Sequence, residues 1–459
     1  MPLTSLKTTK NCFSMSTHTP ATWGTRLGFI LASAGSAVGL GAIWKFPYMA
    51  GTNGGSVFML PYIFFTLTVG VALLLAEFAM GRAGRRGAVG SLNRAAGKPW
   101  GIFGGIGVFT VFLILSFYSV VGGWCIKYLW DAMLGIGLTT DAKVLNANFG
   151  SFVSDMVSSY GYLLLFLCLT AYVVMNGVQQ GIEKIAKILM PLLFILMVIL
   201  IIRGVTLPGG WAGVEFLFTP RWEDFNGTAL FNAMGFCFFS LSLGAGTMIT
   251  YGSYLNPKAD LPSSVGWVAF LAILSSILGG LMVMPAVFAF HLDPTAGPGL
   301  TFVTMPAVFS QMPLGQGFAA AFYACLTVAA LTSSVSMLEA CTALLTQEAN
   351  ISRKNAILLT LAGCAIVGFA ANMSFGPWSD VKLFGKNIFD ILDYVTSNIG
   401  MPLSTFGIAI AAAWVAWPVT SRELQSVKPL SDTSLKAARL LIGVLAPVFV
   451  AIVALGGIL

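Results

Sequence analysis

Two stretches of this chain set glycines and serines in apolar surroundings and end on a tyrosine. They are GSAVGLGAIWKFPY, residues 35–48, and FSLSLGAGTMITYGSY, residues 239–254. Glycine inside a helix costs about 1 kcal/mol relative to alanine. Gly35, Gly39 and Gly41 in the first stretch, and Gly244 and Gly246 in the second, therefore permit unwinding. An unwound segment offers bare peptide groups. Half-helix N-termini turn N–H groups toward an anion, and half-helix C-termini turn carbonyls toward a cation. One such site can hold both ends of a zwitterion with a metal ion beside it. Close packing of helices through small residues is the other reading of the same glycines.

The surroundings decide where such a site could sit. Of 459 residues, 57% are hydrophobic and only 9% are charged. A soluble domain carries about 25% charged residues, so this composition belongs to a polytopic membrane protein. It excludes a soluble enzyme, a disordered chain and a nucleic-acid binder, despite a net charge of +7. The seven cysteines contain no CxxC pair, and Cys125, Cys168, Cys237, Cys325, Cys341 and Cys364 lie in or against apolar runs. They read as packing residues rather than disulfides or zinc ligands. His18 and His291 flank no carboxylate cluster and read as loop residues, so no enzyme chemistry is expected.

About twenty apolar residues span the hydrocarbon core as a helix. Continuous apolar runs predict eleven spans, near 24–51, 55–82, 101–134, 160–176, 181–203, 227–254, 262–290, 316–347, 355–372, 388–418 and 437–457. An all-α polytopic membrane protein follows. With the N-terminus inside, most of the 24 basic residues fall on the cytoplasmic side, among them Lys7, Lys10, Arg82, Arg85, Arg86, Lys98, Arg353 and Arg422. The C-terminus is then extracytoplasmic, and the positive charge reports topology rather than an anionic partner. Residues 1–21 read as a cytoplasmic tail with no cleaved signal. Segment 22–203 holds one five-helix repeat, 204–418 a second repeat of opposite orientation, and 419–459 a cytoplasmic loop with the eleventh helix. Interrupted spans at matching places in two repeats point to a midplane transport site.

The same residues resemble the neurotransmitter:sodium symporter family. WGTRLGFILASAGSAVGLGAIWKFPY (23–48), NGGSVFMLPY (53–62), EFAMGR (77–82), LSFYSVVGGW (115–124), GIEKIAKILMP (181–191), FFSLSLGAG (238–246), ALTSS (330–334) and FDILDYVTSN (389–398) follow the family order through nearly the whole chain. Eleven spans resemble its shorter bacterial branch, so the expected location is a bacterial inner membrane with lipid around it. The resemblance implies a leucine-transporter-like fold and sodium-driven uptake of an amino acid. The substrate carboxylate would meet the N–H groups of Leu40 and Gly41 and the hydroxyl of Tyr118. Its ammonium would meet the carbonyls of Ala37, Phe239 and Ser240, with Ser242. Ile114, Phe239, Ala245, Ser333 and Met337 would line the side-chain pocket. This apolar lining implies a neutral, hydrophobic or aromatic amino acid. One sodium site would use the carbonyls of Gly35, Val38 and Ala329 and the hydroxyls of Thr332 and Ser333. Back-bonding of Thr332 and Ser333 to their own helix is the alternative.

Some positions depart from the family pattern. Ala42 and Ala272 stand where a second sodium site uses amides, so one coupled sodium is expected. Phe236 replaces a glutamine, so no chloride dependence is expected, although Tyr62, Ser240 and Ser276 remain. The outer gate would consist of Lys45 and Asp393 with Tyr118 and Phe239. Lysine lacks the fork of arginine, which would loosen that latch. Lys45 could instead snorkel toward the interface. Pro20 replaces the usual basic residue of the inner gate, whose acid position reads as Gln347 beside Glu348. Two rivals remain: a proton-coupled or sodium-independent exchanger of the same fold, and a non-transporting amino-acid sensor.

Overall fold

The computed structural model describes residues 21–293 and 300–458. Nearly all of the expected tail, with His18, lies outside that range. Among the described residues the chain is helical, and its one β-type pairing is an isolated bridge between Leu383 and Lys386.

The continuous apolar runs fold as helices because a helix satisfies every backbone group within its own segment. In chain order these are α1 (Arg26–Ala37), α2 (Gly41–Thr52), α3 (Ser56–Gly84), α4 (Lys98–Leu134), α5 (Met156–Met175), α6 (Val178–Val205), α7 (Gly227–Ser240), α8 (Thr247–Ser253), α9 (Leu261–Ala289), α10 (Gly315–Glu348), α11 (Arg353–Met373), α12 (Ile388–Val415) and α13 (Asp432–Gly456). Nine of these are long and apolar enough to cross a membrane, and the pair α1/α2, bent by 47°, makes a tenth. Short helices at Ala88–Ala96, Ala142–Ser154, Trp211–Phe218 and Leu300–Ser310 connect them, outside the eleven predicted spans.

Burial sorts the helices into layers. The most apolar window of α4 is 72% buried and that of α6 only 28%, so α4 runs through the centre and α6 along the rim. Rim side chains such as Ile195, Ile202, Tyr172 and Ile366 remain exposed. An apolar belt of this kind faces lipid rather than water. At the centre, α10 lies along α4, and α5 packs on α4 where Gly122 abuts the Phe166 ring. Of the cysteines, Cys168 is exposed, while Cys125, Cys237, Cys325, Cys341 and Cys364 are buried free thiols.

Buried charges are tied down. The guanidinium of Arg82, 2% exposed, donates to Glu423 at 2.5 Å, to the Ala259 carbonyl at 2.7 Å and to Ser426 at 2.8 Å. It thereby braces the end of α3 against the segments after α8 and α12. Arg82→Met strips these acceptors of their donor, and a loss of about 3 kcal/mol is expected, read as a lower unfolding midpoint of the purified protein. Combining it with Glu423→Leu should cost less than the two single changes together. An unchanged midpoint in Arg82→Met would refute the brace.

Candidate functional site

The helix α1 ends at Ala37, and residues 38–40 separate it from α2, which opens on a π-helical turn, Gly41–Lys45. The glycines at this break serve close approach. A Cβ on Gly41 would press into the Phe239 ring. Between α7 and α8 the chain leaves the helix over residues 241–246. Ser242, Gly244 and Gly246 adopt φ of 53°, 74° and 70°, the left-handed region that a serine enters only under local constraint. Glu77 of α3 supplies part of that constraint, its Oε1 accepting from the Gly244 N–H at 2.7 Å.

The two breaks meet. Ser242 Oγ donates to the Ser36 carbonyl at 3.1 Å. The Leu40 N–H donates to Tyr118 Oη at 3.1 Å, so an N–H donor and a phenol stand together. From α10, Ser333 Oγ donates to the carbonyls of Gly35 at 3.0 Å and Ser36 at 3.1 Å. Ser336 Oγ shares a hydrogen bond with Ser36 Oγ at 2.7 Å. Between these groups lies a cavity of about 180 Å³. Ala37, Leu40, Gly41, Ile114, Tyr118, Phe239, Ser242, Ala245, Ser333 and Met337 all line it. Of the expected substrate residues only Ser240 stays off its wall, its hydroxyl back-bonded to the Cys237 carbonyl at 3.1 Å. Sequence reasoning missed Val111, Thr247, Asp390 and Met401, which also line the cavity. No helical period marks a residue that follows a break, so Thr247 carried no signal.

The expected sodium ligands lie just behind this wall. Ser333 Oγ reaches the Gly35 carbonyl, and Thr332 Oγ1 donates to the Ala329 carbonyl at 3.0 Å. Four of the five oxygens thus stand in two neighbouring pairs, with Val38 at the end of α1. Thr332 takes the back-bonded geometry within its helix, while Ser333 reaches across to α1. At the second family position Ala42 and Ala272 are buried methyls with no side-chain oxygen. Phe236 fills the place of the missing glutamine with an aromatic cluster, its ring 5.0 Å from Tyr62 and 5.7 Å from Phe46.

The gate differs from expectation. Among the described residues no ion pair joins Lys45 to Asp393, although both line the cavity. The Lys45 amine instead stands 4.3 Å from the centre of the Phe239 ring, whose negative face attracts it. Asp393 accepts from Ser397 at 3.2 Å.

The opposite end is latched. Trp23 Nε1 donates to the Tyr251 carbonyl at 2.9 Å, and its backbone N–H donates to the Tyr254 carbonyl at 3.1 Å. Glu339 accepts from Tyr254 Oη at 2.7 Å and pairs with Arg353 at 2.6 Å. Glu183, a span acid the sequence reading passed over, accepts from the Gly24 N–H and from Thr25 Oγ1, both at 2.7 Å. Gln347 and Glu348 engage Arg86 and Gly87, with Gln347 Oε1 2.7 Å from the Gly87 N–H.

This arrangement has relatives. The profile of the sodium:neurotransmitter symporter family matches residues 20–139 and 142–458. The chain is 40% identical to the sodium-dependent transporter YhdH of Bacillus subtilis, over 86% of this chain and 88% of that one. It is 34% identical to the sodium-dependent transporter MJ1319 of Methanocaldococcus jannaschii, over 93% and 88%. Among solved structures it superposes on MhsT in complex with L-phenylalanine, with a TM-score of 0.88, 39% identity, and coverage of 95% of this chain and 99% of that one. With breaks, cavity and profile in agreement, the chain belongs to the sodium:neurotransmitter symporter family.

Proposed function

We propose that this chain imports a neutral, hydrophobic or aromatic amino acid, coupled to sodium, by alternating access. The observation that carries the proposal is the cavity where the two helix breaks meet, with the Leu40 N–H and the Tyr118 phenol paired on its wall beside apolar side chains. The carboxylate would meet Leu40, Gly41 and Tyr118. The ammonium would meet the carbonyls of Ala37 and Phe239 beside Ser242. Ile114, Ala245 and Met337 offer no charge to a substrate side chain. The presence of L-phenylalanine in the MhsT structure supports the same class.

In this proposal the chain crosses the membrane eleven times, counting α1/α2 as one span and α7/α8 as another. Two five-helix repeats of opposite orientation place the breaks at matching depths. The N-terminus faces the cytoplasm of a bacterial cell. One sodium, a co-substrate, sits between Gly35, Val38, Ala329, Thr332 and Ser333. Their uncharged oxygens suit a hard monovalent cation. To ligate, the hydroxyls would turn their protons away from the carbonyls they now meet. No chloride is required, because Phe236 brings no donor. Sodium between α1 and α10 favours the form open toward Lys45 and Asp393. Substrate then draws Phe239 and Tyr118 over the cavity, and loss of sodium frees α1 on the Trp23 side. Each sodium entering down the membrane potential supplies about 2.3 kcal/mol per 100 mV.

The missing amides at Ala42 and Ala272 favour one rival, a sodium-independent exchanger of the same fold. Uptake of tritiated phenylalanine by proteoliposomes separates the two. Replacing sodium with choline is expected to abolish accumulation, and undiminished accumulation would overturn the proposal. Thr332→Val and Ser333→Ala are each expected to weaken sodium dependence at least about tenfold, the loss of one good ligand. Unchanged sodium activation in both would move the ion elsewhere. Initial rates against sodium concentration should fit a Hill coefficient close to one, and a value approaching two would restore a second site.

A further inference from the structure

Among the described polar groups on the cavity wall, one buried hydroxyl has no hydrogen-bond partner in the protein. Ser36, Ser242, Ser333 and Tyr118 all have hydrogen-bond partners within the protein. Thr247 also lines the cavity and is 1% exposed, yet its Oγ1 has no hydrogen-bond partner. The reason is local. A threonine inside a helix bonds back to the carbonyl four residues earlier, as Thr250 does to Gly246 at 2.8 Å. Thr247 is the first residue of α8, and the residue four before it, Leu243, lies in the unwound segment. A buried hydroxyl without a partner carries a desolvation cost that a bound molecule can relieve.

Two residues earlier, Ala245 leaves room on the same cavity. Val111, Ile114 and Met337 line the same cavity and give it an apolar surface for an extended side chain. A side chain that is apolar along its length and polar near its far edge fits both features. We infer that Thr247 selects amino acids whose large apolar side chain carries an uncharged hydrogen-bonding group, the indole N–H of tryptophan or the phenol of tyrosine, over phenylalanine. This rests on the amino-acid reading of the cavity. Thr247 Oγ1 accepts from the indole N–H, or exchanges a hydrogen bond with the phenol, while the carboxylate and ammonium ends remain at the two breaks. A charged side chain gains nothing here, because a single hydroxyl cannot balance a buried charge.

The test is competition binding on the purified full-length protein in sodium, with tritiated phenylalanine displaced by unlabelled phenylalanine, tryptophan and tyrosine. Tryptophan or tyrosine is expected to displace the label about three- to tenfold better than phenylalanine, the worth of one neutral hydrogen bond. Thr247→Val keeps the shape and removes the hydroxyl. It should erase that preference, so that phenylalanine, tryptophan and tyrosine displace the label equally. Thr247→Ser keeps the hydroxyl and should retain the preference, so loss of folding in one variant cannot imitate the result. Equal displacement by the three amino acids in the parent overturns the inference, as does a preference that survives in Thr247→Val. Parent protein that binds phenylalanine without this preference leaves the amino-acid reading standing. Parent protein whose melting temperature none of the twenty amino acids raises in sodium overturns that reading and the inference together.

Discussion

Inside a bilayer a backbone N–H or carbonyl has no water to turn to, and each unsatisfied one costs several kcal/mol. Two interrupted helices at one depth therefore require a partner for every group they release. Here the partners are side chains from the surrounding helices and, in Ser242, from the other break. Glu77 takes the Gly244 N–H, Tyr118 takes that of Leu40, Ser242 reaches the Ser36 carbonyl, and Ser333 reaches Gly35 and Ser36. The breaks are held open by polar groups on α3, α4 and α10, so the shape of the cavity belongs to the bundle rather than to the broken segments alone.

These bonds are replaceable, and transport chemistry needs that. A hydroxyl that donates to a carbonyl in the free protein can turn to ligate an ion, and an N–H that donates to a phenol can turn to a carboxylate. The exchange is close to even in free energy, since one hydrogen bond is given up for another. Glycine has a complementary part at Gly41, where the absence of a side chain lets the Phe239 ring lie against the backbone.

The span pattern was legible because lipid demands continuous apolar length, and the long helices begin and end within about five residues of the predicted bounds. The breaks at 38–40 and 241–246 fall where the sequence clusters glycines. The resemblance to a family then supplied roles that composition could not, and all but one of the residues it assigned to substrate share a cavity. The connecting helices, such as Trp211–Phe218, were not legible because they are too short for a span and too apolar for a loop. Ser240, expected to offer its carbonyl, is the last residue of α7 and lies off the cavity wall. Lys45 stands over the Phe239 ring, a contact that charge pairing in the sequence does not mark. Glu183 escaped notice because its partners, the Gly24 N–H and the Thr25 hydroxyl, lie about 160 positions away in the chain.

The carboxylate of Glu339 serves two neighbours of unequal strength. Toward Arg353 it makes a charged pair, and toward Tyr254 a single hydrogen bond from a phenol. Any swing of α8 away from α10 parts the weaker contact first and leaves the stronger one whole. Glu339 and Arg353 belong to α10 and α11, so their pair keeps the carboxylate in place to receive the Tyr254 hydroxyl again.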